Sequence, residues 1–153
     1  MPELVERHPA VARTQHKAVS PSRAAYHAFQ LLHAAFVVAP TIAGADKFLG
    51  WLADWDRYVA PQIGRALPFG MHSFMLFIGL LELGAALWVA LQPRIGAYLV
   101  AAGLCVSILN LAIQGSYWDI VLRDLTLLLG AVALGRLANA YHRGGLVEHP
   151  ASE

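Results

Sequence analysis

The chain has 153 residues, 58% of them hydrophobic and only 14% charged, against about 25% charged in an average soluble domain. Mean hydropathy is +0.52, and charge-free stretches run through the region between Phe29 and Ala138. These values exclude a disordered chain and argue against a water-soluble globule, and a formal net charge of +1 gives no reason to expect a nucleic-acid partner.

The first 24 residues are polar, contain three prolines and lack an apolar core of the kind a signal peptide needs. They read as a flexible tail. Four apolar segments then follow, each near the ~20 residues that a membrane-spanning helix requires. They run from Tyr26 to Leu49, Met71 to Leu91, Ile95 to Gln114 and Tyr117 to Leu137. Gln92-Pro93-Arg94 joins the second to the third, and Gly115-Ser116 joins the third to the fourth. Both connections are short enough to force antiparallel hairpins.

A longer stretch separates the first two segments. It carries Trp51, Trp55 and Tyr58 among acids and arginines, a mixture typical of the membrane–water boundary. We read Trp51 to Ile63 as a short interfacial helix, stopped near Pro61 and Pro68. The sequence thus predicts an all-α, four-span membrane bundle over residues 25–140, with a C-terminal tail over 141–153.

Orientation follows from loop charge. Arg7, Arg13, Lys17, Arg23, Arg94, Arg136 and Arg143 fall on one side, while Arg57 and Arg65 fall on the other. The positive-inside rule then puts both termini in the cytoplasm.

Ionisable residues inside spans are costly and tend to face a partner or a cavity. Asp46, Lys47, Glu82, Arg123 and Asp124 are the candidates, with Asn110 and Gln114 polar and close to the same outer end. Glu82 lies ten residues after His72, or ~15 Å into its helix at 1.5 Å per residue. We expect a buried polar network in the outer part of the bundle, with Lys47 paired to Asp124 or Glu82 and Arg123 paired to Asp46. On that count Glu82 is the surplus acid. Two roles are open to such a network: a clamp that holds the helices in register, or a site for a small polar group such as a quinone head.

Other chemistry finds less support. His33 and His72 sit at opposite depths, so they cannot share an iron, and no HExxH or Cys/His zinc spacing occurs. His33 reads as a polar residue bonding near the inner boundary. The lone Cys105 cannot close an intramolecular disulfide and reads as a small packing residue. Ser107 and Thr126 are expected to bond back to their own helices. Gly79, Gly84, Gly96, Gly103, Gly130 and Gly135 read as points of close helix approach inside the bundle, with a face for a partner subunit as the alternative.

The motifs also carry a resemblance. A first span ending in Gly44-x-Asp46-Lys47-Phe48 is followed by Gly79, Glu82, Leu83 and Leu87, with Ala86 where the pattern has glycine and Gly84 close by. The turn Pro93-Arg94-x-Gly96 comes next, and then YWDIVLRDLTLLLGA from Tyr117. Together these resemble DoxX-like membrane proteins over about Phe29 to Leu137. The resemblance implies a four-helix protein of the bacterial inner membrane, in a family where some members are subunits of quinone-linked oxidoreductases. It implies no cofactor held within the chain, but a quinone at an interface with other membrane subunits or with a second copy. It supplies no catalytic residue. A stand-alone small-solute carrier and a purely structural assembly protein are the competing readings.

Overall fold

The computed structural model describes residues 23–144, and they are helical almost throughout. Four long helices are α1 (Arg23–Leu49), α3 (Met71–Leu91), α4 (Pro93–Gln114) and α5 (Trp118–Gly144), with a short α2 (Pro61–Ala66) between the first two. Each long helix packs on two neighbours, in the ring α1–α3–α4–α5–α1. Of the two tails read from the sequence, only residues 23–24 and 141–144 fall within the described part, and both pieces continue helices.

Three of the helices, α1, α3 and α4, are long and apolar enough to cross a membrane. The outer faces match that environment. Leu31, Leu80, Leu87, Val106, Leu109, Leu122 and Leu129 all point outward, and so many exposed large apolar side chains belong in lipid rather than water. Inside, the core is built on Phe36, Val89, Ala97, Val100, Ala101, Ala131 and Leu134. Three of these seven are alanine. In a bilayer helices gain little from hiding leucine from lipid, so they associate by close approach across small residues.

Glycines make the closest approaches. A methyl group on Gly44 would lie 2.9 Å from the Gly79 carbonyl oxygen, and one on Gly79 would lie 2.9 Å from the Gly44 oxygen. α1 and α3 therefore meet backbone to backbone at this pair. Gly96 lies against the Val89 backbone across the α3–α4 hairpin, while Gly130 and Gly135 receive the rings of Phe36 and Tyr98. Gly84 and Gly103 face open space, so the expectation of close packing fails for these two. Cys105 is exposed and does not fill the core as expected.

Helix ends follow local chemistry. Gly50, at φ +63°, ends α1 by donating its N–H to the Asp46 carbonyl at 2.6 Å. Gly115, at φ +73°, ends α4 in the same left-handed conformation, which glycine adopts without a Cβ clash. α4 begins at Pro93, where the missing N–H costs nothing.

The single interfacial helix expected over Trp51 to Ile63 is replaced by an irregular strap. It contains a 3₁₀ turn at Trp55–Tyr58 and then α2. The reason is local. The N–H groups of Trp51, Leu52 and Ala53 all converge on the Asp46 carboxylate, which ties this stretch to the end of α1. Pro61 then fixes the start of α2 and keeps the preceding Ala60 out of helical conformation.

Candidate functional site

The five candidate residues lie on three helices and separate into two clusters. The first joins Asp46, Lys47 and Glu82. The end of α1 places Asp46 and Lys47 side by side, both buried. Asp46 does not meet Arg123. Its Oδ1 accepts the N–H of Trp51 at 2.8 Å and of Leu52 at 2.9 Å. Its Oδ2 accepts the N–H of Ala53 at 3.3 Å and the indole N–H of Trp55 at 2.7 Å. A carboxylate presents about four lone-pair sites, so Asp46 is filled by the strap it holds. The chain turns just after α1 at Gly50, which leaves the following backbone donors without helical acceptors.

Lys47 reaches across to α3. Its Nζ donates to Glu82 Oε2 at 2.7 Å, which is one of the two pairings expected from the sequence. Glu82 is therefore not a surplus acid. The ammonium also stands 3.8 Å from the centre of the Trp55 ring, an attractive contact with the π-face. Neighbouring residues of α1 thus grip one indole twice, Asp46 at its N–H edge and Lys47 at its face. Trp55 was placed in the sequence only as an interfacial aromatic, and no spacing rule marks it as the partner of both.

The second cluster lies between α4 and α5. Ser107 donates its hydroxyl to Asp124 Oδ2 at 2.8 Å and does not bond back to its own helix. In a span, a buried carboxylate offers a better acceptor than a carbonyl already used in the helix ladder. Arg123 donates to Asp124 Oδ1 through Nε at 3.2 Å and through a terminal nitrogen at 3.0 Å. The pair expected between Arg123 and Asp46 is thus replaced by a pair between chain neighbours. The Arg123 side chain is 62% exposed and lies along the outside of α5. Thr126 bonds back to the Leu122 carbonyl at 3.0 Å, as read from the sequence.

Asn110 and Gln114 hold the strap to α4. Asn110 accepts the Ala60 N–H at 2.9 Å and donates to the Tyr58 carbonyl at 2.6 Å, and Gln114 donates to the Arg57 carbonyl at 3.0 Å. These three hydrogen bonds hold the strap where Val59 and Ala60 are buried. Asp46 from one side and Asn110 from the other pin the strap across this end of the bundle.

Above the first cluster is an open cavity of about 250 Å³ lined by Lys47, Gly50, Ala53, Asp54, Trp55, Asp56 and His72. His72 Nδ1 stands 3.4 Å from Asp56 Oδ2 at its rim. His33 is at the opposite end of the bundle, where its Nε2 stands 2.9 Å from the Val89 carbonyl oxygen and its ring stacks on Phe29. Among the described residues, no three His, Cys, Asp or Glu side chains come together to hold a metal ion.

The grip on the strap can be tested directly. Asp46→Asn turns one acceptor oxygen into a donor. The amides of Trp51, Leu52 and Ala53 should then exchange with solvent hydrogen roughly tenfold faster or more, as expected for losing about one hydrogen bond, while amides in the middle of α3 keep their rates.

Comparison with known proteins finds no family model that matches the chain, no matching curated protein and no matching solved structure.

Proposed function

We propose that this chain is a DoxX-like accessory subunit of a quinone-linked oxidoreductase in a bacterial inner membrane. In this reading it spans the bilayer four times with both termini in the cytoplasm, and the strap lies at the outer surface. α5 is the fourth span. At 27 residues it is ~40 Å long. Its Arg123 and Asp124 offset one another, and Asp124 is also bonded to Ser107, which lowers the cost of carrying them in a bilayer.

The observation that carries the proposal is the Lys47–Glu82 ion pair beneath the cavity walled by Trp55 and His72. Ionisable side chains within a span are expensive, and where they occur they mark sites and pathways. The cavity offers what a quinone head needs: an ammonium and an imidazole for its carbonyl oxygens, and a flat indole for its ring. The role is one of binding and positioning, with electron transfer left to partner subunits.

The test is isolation from native membranes in mild detergent, followed by optical and quinone analysis. The expected result is a larger assembly carrying flavin, haem or quinone, with quinone content reduced several-fold in Glu82→Gln while that variant still accumulates. A cofactor-free monomer or homo-oligomer would overturn the proposal and shift attention to solute flux in liposomes. A second reading, a structural assembly protein, is favoured by one observation: all four hydrogen bonds to Asp46 come from the strap of the same chain. Unchanged quinone content in Glu82→Gln would select it.

A further inference from the structure

The end of the bundle away from the strap has a different electrostatic character. The start of α1, the α3–α4 turn and the last turns of α5 meet there, as shown by the ring contacts of Tyr141 with Tyr26 and Phe29. Between them lies a cavity of about 370 Å³ lined by Phe29, Leu91, Gln92, Pro93, Arg94, Ala138 and His142. Its size falls within the range of small-molecule sites.

The lining has two nitrogen bases and no acid. Arg94 makes no ion pair or hydrogen bond with another side chain among the described residues. The described acids are Asp46, Asp54, Asp56, Glu82, Asp119 and Asp124. Asp46, Asp54, Asp56, Asp119 and Asp124 belong to the strap end. Glu82 is paired to Lys47 and lies nine residues before Leu91, or ~13 Å along α3. Nothing of opposite sign in the described residues answers Arg94. A further polar group is unanswered beside it: the Tyr141 hydroxyl is buried without a hydrogen-bond partner, one residue before His142 and with its ring against Phe29, both of which line the cavity.

Apart from the Gln92 amide, the remaining walls are apolar. Phe29, Leu91, Pro93 and Ala138 surround the bases, and Leu91 is 72% exposed on the outer face of α3. A ligand that fits has an anionic head for Arg94 and His142 and a hydrocarbon body that can leave the cavity along α3. A phosphodiester suits the guanidinium, which binds phosphate oxygens through two parallel N–H bonds. Basic pockets between spans are a recurrent way of holding anionic lipid heads.

We propose that this cavity is a binding site for the phosphate headgroup of an anionic membrane phospholipid, held by Arg94 and His142 with the acyl chains lying along Leu91. The site is separate from the strap-end cavity and does not depend on the role assigned to Lys47 and Glu82.

The test uses the full-length protein in detergent, titrated with phosphatidylglycerol, with phosphatidylcholine or with inorganic phosphate, and the bound lipid counted by native mass spectrometry. One phosphatidylglycerol per chain should be retained in preference to phosphatidylcholine. Arg94→Gln combined with His142→Gln should reduce that retention about tenfold, whereas Arg94→Lys, which keeps the charge but not the two parallel N–H bonds, should lose only part of it. Arg65→Gln removes an arginine at the other end of the bundle and should leave that retention unchanged. Equal retention of the two lipids would overturn the proposal, as would undiminished retention in a folded Arg94→Gln, His142→Gln protein. Displacement of phosphatidylglycerol by equimolar inorganic phosphate would identify a free-anion site and overturn the lipid assignment. The lipid comparison and the phosphate competition use the unmutated chain, so they decide the matter even if the double variant fails to fold.

Discussion

Lys47→Met should destabilise the bundle by about 3 kcal/mol, the lower end of the loss seen when a buried ion pair keeps only one partner. The lysine side chain is almost fully buried, at 3% exposure, and its removal leaves the Glu82 carboxylate without the cation 2.7 Å away. The contact with the Trp55 ring is lost as well, at a further cost of about 0.5–1 kcal/mol. The value stays at the lower end because the Glu82 side chain is 35% exposed and can be partly solvated. Lys47→Met combined with Glu82→Leu should recover most of the loss, since replacing both members of a buried pair by apolar groups is often near neutral. A double-mutant cycle, measured by reversible unfolding in detergent, checks both statements. If the single variant were as stable as the parent chain, the pair would have no part in holding α1 to α3.

Gly96→Ala should cost about 3 kcal/mol, the upper end of the usual range for overpacking. The added methyl would overlap the backbone nitrogen and Cα of Val89 and the carbonyl carbon of Trp88. Backbone atoms cannot rotate away as a side chain can, so the α3–α4 hairpin has to open. The same substitution at Gly84 or Gly103 meets nothing within 4 Å. There alanine should be neutral or stabilising by up to ~1 kcal/mol, through its better helix propensity. Thermal unfolding of the three variants in one detergent checks the contrast. Equal losses at all three positions would mean that the effect lies in the helices themselves and not in their contact.

These two cases show what periodicity and composition can convey. The three most apolar helices and their hairpin turns are legible because each is a continuous run ended by proline or glycine, and such signals act over a few residues. The pairing of Lys47 with an acid was also legible, since a buried cation needs one. Which acid it meets was not. Glu82 and Asp124 both lie at suitable depths, and the choice depends on α3, not α5, facing that side of α1. Asp46 illustrates the complementary limit. It was read as the partner of a distant arginine, but donors only five to nine residues away in the chain satisfy it first. Those donors are close along the backbone, and Trp55 adds an indole N–H at low entropic cost, whereas Arg123 has its own neighbour Asp124 within reach.

Glycine positions show the same division. Six glycines on the long helices look alike in sequence. Four of them, Gly79, Gly96, Gly130 and Gly135, lie against another helix or ring, and two do not. The distinction is set by the rotation of each helix about its axis, which nothing within a single apolar segment determines when residues all around it are hydrophobic.

The sequence by itself therefore determined an all-helical chain with a lipid-compatible exterior, its two hairpin turns, and the set of polar residues that had to find partners. Those properties follow from hydropathy, chain stiffness and the cost of burying charge, all of them local. Only the tertiary structure decided that the loop after α1 is a strap clamped by Asp46 and Asn110. It likewise decided that Lys47 is matched to Glu82, and that Arg94 and His142 share a cavity at the far end. Each of these depends on which helix faces turn toward one another, and that is chosen by packing of the whole ring at once.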